Sequence, residues 1–142
     1  MNRRLYVALF LALSFASVSR GDDAKSLDGT WLASAAELGG LKFPDDVRKS
    51  IKLVIGEGKY TVTVGKEPDR GTVKLDPSQK PKGLDITGTE GPNKGKTILA
   101  IYERSNDSLQ VCYDLSGKAR PTEFKTTQGT RLFLVTYKRV QP

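Results

Sequence analysis

Apolar and polar residues alternate with a period of two along much of the chain. Tyr60, Val62 and Val64, for example, alternate with two threonines. Such alternation is typical of a β-strand with one buried face and one solvated face. Turns rich in Gly, Pro, Asn and Asp separate eight predicted strands, which cover residues 30–36, 52–55, 60–64, 72–75, 84–87, 97–103, 109–113 and 132–137.

One short helix is predicted after the first strand, beginning near Pro44 and ending near Ser50. Proline suits the first position of a helix, where its missing N–H costs no hydrogen bond. Asp45 and Asp46 would lie at the positive end of the helix dipole, and Arg48 would lie towards the negative end. The rest of the pattern predicts an all-β fold.

Eight consecutive antiparallel strands leave two unpaired edges unless the sheet closes on itself. An eight-stranded antiparallel up-and-down barrel removes both edges and is the predicted architecture, with a two-sheet sandwich as the main alternative. A barrel of this size is filled by side chains or holds one small ligand. The predicted inward-facing residues carry no charge, and they are Trp31, Leu53, Ile55, Tyr60, Val62, Val64, Val73, Leu75, Leu84, Ile86, Leu109, Val111 and Tyr113.

The first 21 residues have the features of a signal peptide. Two arginines precede an uncharged run from Leu5 to Val18, which is shorter than the roughly 20 apolar residues that span a membrane. Ser19 and Gly21 suit the −3 and −1 positions of a cleavage site. Cleavage after Gly21 is the first choice and cleavage after Ser19 the second, and an uncleaved anchor is the alternative.

Composition narrows the function of the predicted mature domain, residues 22–142. The chain has 23 Lys and Arg against 16 Asp and Glu, and the signal segment holds three of the arginines, so export lowers the net charge from +7 to +4. That small charge argues against nucleic acid as a partner. With no His and a single Cys, the chain lacks the residues for His-dependent triads, His-ligated metals and internal disulfides. We therefore predict no enzymatic activity, no metal, no cofactor and no membrane span after cleavage.

Gly29 and Trp31 resemble the G-x-W signature of lipocalins and related barrels. In that fold the Trp closes the base of the barrel and packs under an Arg near the end of the last strand. The resemblance assigns this role to Arg139, and a cation–π contact of this kind contributes about 0.5–2 kcal/mol.

Further segments carry a wider resemblance over about residues 27–139. They are LDGTW (27–31), GKYTVTVG (58–65), GTVKLDPSQKPKGLDIT (71–87), GPNKGKTILAIYE (91–103), LQVCY (109–113), ARPTEF (119–124) and LVTYKR (134–139). Together they resemble a small exported lipocalin-like domain family without an assigned function, abundant in planctomycete bacteria. The resemblance implies a lipocalin-like fold and a periplasmic or extracellular location, and it supplies no catalytic residues.

The segment from Gly91 to Thr97 differs from a phosphate-binding loop in two ways. That motif requires a glycine where Glu90 stands, and it opens a helix, whereas Thr97 begins a predicted strand. We interpret the segment as a turn between two strands.

Other reactive side chains are interpreted as structural or solvated. The pattern does not bring two of the carboxylates Asp85, Glu103, Asp114 and Glu123 together, as an acid/base pair requires. Cys112 lies out of phase with the apolar face of its strand, and no His is available to activate it. It is interpreted as a small, half-buried side chain.

Arg120 and Phe124 belong to the most distinctive loop of the chain. The functional interpretation is a lid or rim contact at the mouth of the barrel, because loops on rigid scaffolds often carry binding residues. In the structural alternative Phe124 plugs one end of the barrel and Arg120 pairs with Glu123 or a backbone carbonyl.

Two functions fit this pattern, and both are those of a monomer. The first is an exported, non-catalytic carrier that binds a small apolar ligand through Trp31, Tyr60, Val62, Leu75, Ile86, Val111 and Tyr113. The second is a structural or protein-interaction module of the bacterial envelope with a filled barrel. A cavity of roughly 300 Å3 or more, open at one end, favours the carrier, and a core packed throughout favours the module.

Overall fold

The computed structural model describes residues 25–141, and from Gly29 onward these contain eight long strands, one two-residue strand and one short helix. The predicted signal peptide and its cleavage site lie outside these residues. The elements are β1 (Gly29–Leu38), β2 (Leu41–Lys42), α1 (Asp45–Lys49), β3 (Lys52–Gly56), β4 (Lys59–Val64), β5 (Glu67–Asp76), β6 (Lys82–Glu90), β7 (Thr97–Ser105), β8 (Ser108–Asp114) and β9 (Leu132–Arg139).

The sheet closes into a barrel because its first and last long strands pair. From β3 to β9 each strand is antiparallel to its neighbour in sequence, and β1 pairs with both β3 and β9. The β1–β9 ladder runs from Trp31 opposite Arg139 to Leu38 opposite Phe133. The predicted eight-stranded antiparallel barrel and its short helix are confirmed, and the sandwich alternative is wrong.

The start of β5 is the main difference from the predicted strands. The sequence predicts a turn over residues 65–69, whereas β5 begins at Glu67 and pairs with β4 throughout. Pro68 is tolerated in the strand because it lies beyond the outermost β5–β6 pair, Arg70 opposite Glu90, so its missing N–H removes no bond from that ladder. The earlier start places Asp69 on the inner face of the barrel.

The base of the barrel, where β1 begins and β9 ends, is packed around Trp31. The indole is fully buried, and its Nε1–H donates a hydrogen bond to the Leu27 carbonyl at 3.0 Å. The guanidinium carbon of Arg139 lies 4.3 Å from the indole centroid. The same guanidinium donates to the carbonyls of Asp28 at 2.6 Å and Ser26 at 2.8 Å. One arginine therefore joins the segment before β1 to the ring and to the last strand.

Gly29 leaves room for this arrangement. Its φ of +138° is one that side chains disfavour, and a Cβ there would lie 2.8 Å from Nη1 of Arg139. Any larger residue would strain the backbone and crowd the guanidinium that covers Trp31. The Gly and the Trp of the G-x-W motif are thus needed for one contact.

The long segment of residues 115–131, between β8 and β9, crosses the outer wall of the barrel. Beneath it Ile101 and Cys112 are fully buried, although they point away from the main core inside the barrel. The Cys112 thiol donates to the Lys125 carbonyl at 3.8 Å, and burial raises its pKa. Cys112 is therefore more enclosed than the half-buried side chain that the sequence predicts.

Asp114 holds the start of this segment. Its buried carboxylate accepts hydrogen bonds from the Ser116 hydroxyl (2.5 Å) and from the N–H groups of Ser116 (3.0 Å), Lys118 (3.2 Å) and Ala119 (2.9 Å). Burial alone would raise the pKa of this carboxyl, but these four bonds outweigh burial and lower it. The interpretation of Asp114 as a solvated surface carboxylate is wrong, because the fold of the loop depends on it.

Replacing Arg139 with Lys is expected to destabilise the protein by about 1–3 kcal/mol, because an ammonium group cannot cover the indole and bind two carbonyls at once. Trp31 is the only Trp, so its fluorescence reports the base directly. Chemical unfolding followed by that fluorescence measures the loss. Arg70→Lys is the matched control, since the Arg70 side chain is 50% exposed and pairs only with exposed Glu90. Equal losses in the two variants would contradict the role given to Arg139.

Replacing Asp114 with Asn is expected to lower the free energy of unfolding by about 2 kcal/mol. The amide nitrogen of Asn cannot accept a hydrogen bond, and it would face N–H groups that donate to the carboxylate of Asp114. The pKa is lowered in the folded state, so the carboxylate stabilises the fold above the unfolded value of about 3.9 and loses this effect as the pH falls through the folded value. Denaturant unfolding measured at neutral pH and in acid tests both statements. Asp46→Asn is the control, since that side chain is exposed. An Asp114→Asn variant as stable as the control at neutral pH would refute the prediction.

Candidate functional site

A cavity of about 270 Å3 occupies the half of the barrel away from Trp31. It opens at the mouth of the barrel, the end formed by the turns after β4 and β6, where Val64 and Glu67 are exposed. Its lining is mostly apolar and comprises Leu53, Tyr60, Val62, Val64, Glu67, Asp69, Ile86, Pro92, Asn93, Ile98, Tyr113, Leu115, Phe133 and Tyr137.

The predicted contact residues divide between this cavity and the solid base. Four of them line the cavity, namely Tyr60, Val62, Ile86 and Tyr113. The other three pack outside it, and these are Trp31, Leu75 and Val111. Alternation identifies the inner face of a strand, but it does not show how far along the barrel a residue lies. The base half is filled by fully buried side chains, so the free volume lies at the mouth.

An aromatic wall lines one side of the cavity. The rings of Tyr113 and Phe133 stack with centroids 5.7 Å apart, and Phe43 packs behind Phe133 at 5.5 Å. The hydroxyls of Tyr113 and Tyr137 lie 2.9 Å apart and share a hydrogen bond. Burial is the main cause of the raised pKa of both phenols; the contact with Tyr137 adds to the effect on Tyr113, whereas the hydrogen bond with Tyr113 opposes it at Tyr137. The wall is therefore rigid and uncharged at neutral pH.

Asp69 is the feature of the cavity that the alternating pattern does not predict. It is only 7% exposed, although the sequence predicts an inner face without charge. Its Oδ2 accepts from the Tyr60 hydroxyl at 3.2 Å and from the Asn93 amide nitrogen at 2.8 Å, and its Oδ1 accepts from the Asn93 backbone N–H at 3.3 Å. Within residues 25–141 no Lys or Arg forms an ion pair with it. The prediction of an uncharged interior is wrong because β5 begins earlier than its sequence indicates.

The turn after β6 folds back over the mouth and brings Asn93 to Asp69. Gly88 permits this fold, because a Cβ there would lie 2.1 Å from the Asn93 carbonyl oxygen. The Gly95 N–H then donates to the Gly88 carbonyl at 2.9 Å. This segment is the turn between strands that the sequence predicts, and it places Pro92 and Asn93 in the lining.

Arg120 and Phe124 are not brought to this cavity. Arg120 lies against the outer wall, where it donates to the Ala100 carbonyl at 2.8 Å and pairs with Asp85 at 2.5 Å. Phe124 borders a separate surface depression near the base. The loop lies on the wall because buried apolar residues beneath it need a cover. As in the structural alternative, Arg120 binds a backbone carbonyl, but its acidic partner is Asp85 and not Glu123.

Known protein families, curated proteins and solved structures provide no match for this chain. Its described residues include no helix with the length and hydrophobicity that a membrane crossing requires. Nor do three or more potential metal ligands come together anywhere in residues 25–141. The candidate site therefore rests on the geometry of the cavity.

The phenols of Tyr60, Tyr113 and Tyr137 are expected to ionise only above the usual value of about 10. Burial raises all three pKa values, and the Asp69 carboxylate adds to the effect on Tyr60. Because the pKa values of these phenols are raised in the folded state, the neutral phenols stabilise the fold fully at any pH below the unfolded pKa. This stabilisation is lost as the pH rises through the folded pKa values. An ultraviolet absorbance titration, with circular dichroism to follow folding, measures both effects. Ionisation of all tyrosines near the usual value in the folded protein would contradict the arrangement.

Proposed function

We propose that this protein is an exported, non-catalytic, lipocalin-like carrier that binds one small apolar molecule inside its barrel. The observation that carries the proposal is the cavity of about 270 Å3 at the mouth. Ligand pockets begin at about 300 Å3, and this cavity falls just below that value, which is also the volume expected above for a carrier, so only a small ligand fits it. A water molecule occupies about 30 Å3, and the cavity has the volume of about nine. Such a space suits a compact ligand with one ring better than a long lipid chain.

The lining supports a ligand that is largely apolar. Val62, Ile98 and Phe133 offer aliphatic and aromatic surface, and burial of apolar area is the main favourable term in ligand binding. The stacked rings of Tyr113 and Phe133 form a flat wall against which a planar ligand would lie. Since these side chains are held by the barrel, little conformational entropy would be lost on binding.

Two features support the lipocalin-like and exported parts of the proposal. The contact between Trp31 and Arg139 has the form that the resemblance to lipocalins implies. The apolar run of residues 5–18, followed by small residues, is that of a signal peptide. A periplasmic or extracellular monomer in a bacterium, in the manner of the planctomycete family that the sequence resembles, fits both.

A second candidate function is a structural or interaction module of the bacterial envelope. It is favoured by the base half of the barrel, where the large side chains Trp31, Leu109 and Val111 are fully buried. In that case the cavity would be a void between side chains with no ligand, and the outer surface of the barrel would bind the partner.

Filling the cavity separates the two candidates. Val62→Phe is expected to lower the affinity for indole, a neutral planar probe, by about tenfold or more while the barrel stays folded, because the new ring occupies the ligand space. Val54→Phe is the matched control, since Val54 lies on the outer face of β3 and is 38% exposed. Nuclear magnetic resonance shifts of the protein during titration measure the affinities.

Native mass spectrometry of the protein purified from its own organism complements this titration. A bound small molecule is expected on the natural chain and on Val54→Phe, and it should be missing from Val62→Phe. No bound molecule on the natural chain, together with equal indole affinity in the two variants, would refute the carrier and favour the envelope module.

A further inference from the structure

We propose that the cavity selects cationic ligands, namely a primary amine or similar ammonium group on a small apolar body, and that Asp69 binds the charge. This inference rests on the proposed function, because it names the ligand class of the same cavity. It comes from a carboxylate that lies in a mostly apolar cavity and that pairs with no Lys or Arg of residues 25–141.

The hydrogen bonds of Asp69 fix its position without neutralising it. All three donors, the Tyr60 hydroxyl and the two N–H groups of Asn93, are neutral. A carboxylate can accept about four hydrogen bonds, so one position on Oδ1, which accepts only the Asn93 backbone N–H, stays available. A ligand donor that reaches Oδ1 would complete the set.

The two charged residues that line the cavity are both acidic. Its lining includes Asp69 and, at the opening, the exposed Glu67, and no Lys or Arg is among the described residues that line it. A buried charge without a partner is unfavourable, and a cation that enters would supply the missing partner in a medium of low dielectric constant. An anionic ligand of the same shape would be repelled by both carboxylates.

The neighbouring tyrosines fit an ammonium group. Burial and the Asp69 carboxylate raise the pKa of Tyr60, so its hydroxyl remains a donor to Asp69 at neutral pH. Tyr113 and Tyr137 share one hydrogen bond between their hydroxyls, which leaves acceptor capacity on these oxygens. An ammonium group has three N–H donors, and the lining thus offers oxygen acceptors for more than one of them.

The site is also held in place before any ligand arrives. Asn93 reaches Asp69 only because the turn after β6 folds back at Gly88. Tyr60 lies directly opposite Gly71 in the β4–β5 ladder, two residues from Asp69. A carboxylate held from two strands and a turn needs little reorganisation to bind a cation.

The test compares three probes that share a phenyl ring and differ in charge: phenethylamine, phenethyl alcohol and phenylacetate. With the unaltered protein at neutral pH, phenethylamine should bind about tenfold or more tightly than phenethyl alcohol, a difference that calorimetry resolves readily. Phenylacetate should bind more weakly than the alcohol.

Two variants then assign the charge recognition to one residue. Asp69→Asn keeps the size of the side chain and should weaken phenethylamine binding by about tenfold or more, while the affinity for phenethyl alcohol stays within about threefold. Glu90→Gln is the matched control, an exposed carboxylate at the same end of the barrel but outside the cavity lining, and it should change phenethylamine binding by less than about threefold, because exposed charges are screened by solvent and salt.

The outcomes separate this inference from the proposed function. Equal binding of the amine and the alcohol to the unaltered protein would overturn the selection of cations while leaving the carrier intact. An equal loss of both probes in Asp69→Asn would assign Asp69 a purely structural role and also overturn it. If neither these probes nor indole binds the unaltered protein, the carrier itself fails. Because the three-probe comparison uses the natural chain, it decides the question even if Asp69→Asn does not fold.

Discussion

The pairing of β1 with β9 is the contact on which the rest of the structure depends. It converts an open sheet into a barrel, and its register sets Trp31 opposite Arg139, so the ladder that closes the wall also builds the base. Gly29 leaves the space that this contact needs. Large, fully buried side chains occupy the base, and the cavity lies at the other end. The position of the cavity therefore follows from the way the barrel is closed.

Two buried carboxylates show how the surroundings decide what a charged group does. Asp114 accepts four hydrogen bonds from the loop that follows it, which lower its pKa and fix the course of residues 115–131. Asp69 accepts three bonds, also from neutral donors, but it borders free volume instead of its own loop. Asp114 uses its acceptor positions to hold its own loop, whereas Asp69 keeps one acceptor position for a ligand.

Alternation predicted all eight long strands, because one buried face gives a period of two wherever the barrel has a dry interior. The closed barrel was predicted separately, from the need to remove the two unpaired edges of the sheet. It could not predict β2, whose two residues are exposed, or the early start of β5, because Pro68 and Asp69 have the composition of a turn. The outer cover over Ile101 and Cys112 did leave a signal, since β7 and β8 carry apolar residues on both faces. The cavity left no signal in the sequence, because the period of two does not show where along the barrel axis a residue lies.

The closing ladder joins parts of the chain that are far apart in sequence, since Arg139 binds the carbonyl of Asp28 across 111 positions. During synthesis β1 has no partner for one of its edges until β9 has been made. Every earlier form of the domain is thus an open sheet with exposed edges, prone to pairing with other chains and slow to fold through long-range contacts. The domain therefore reaches a form without exposed sheet edges only after its last strand has been made and has paired with β1.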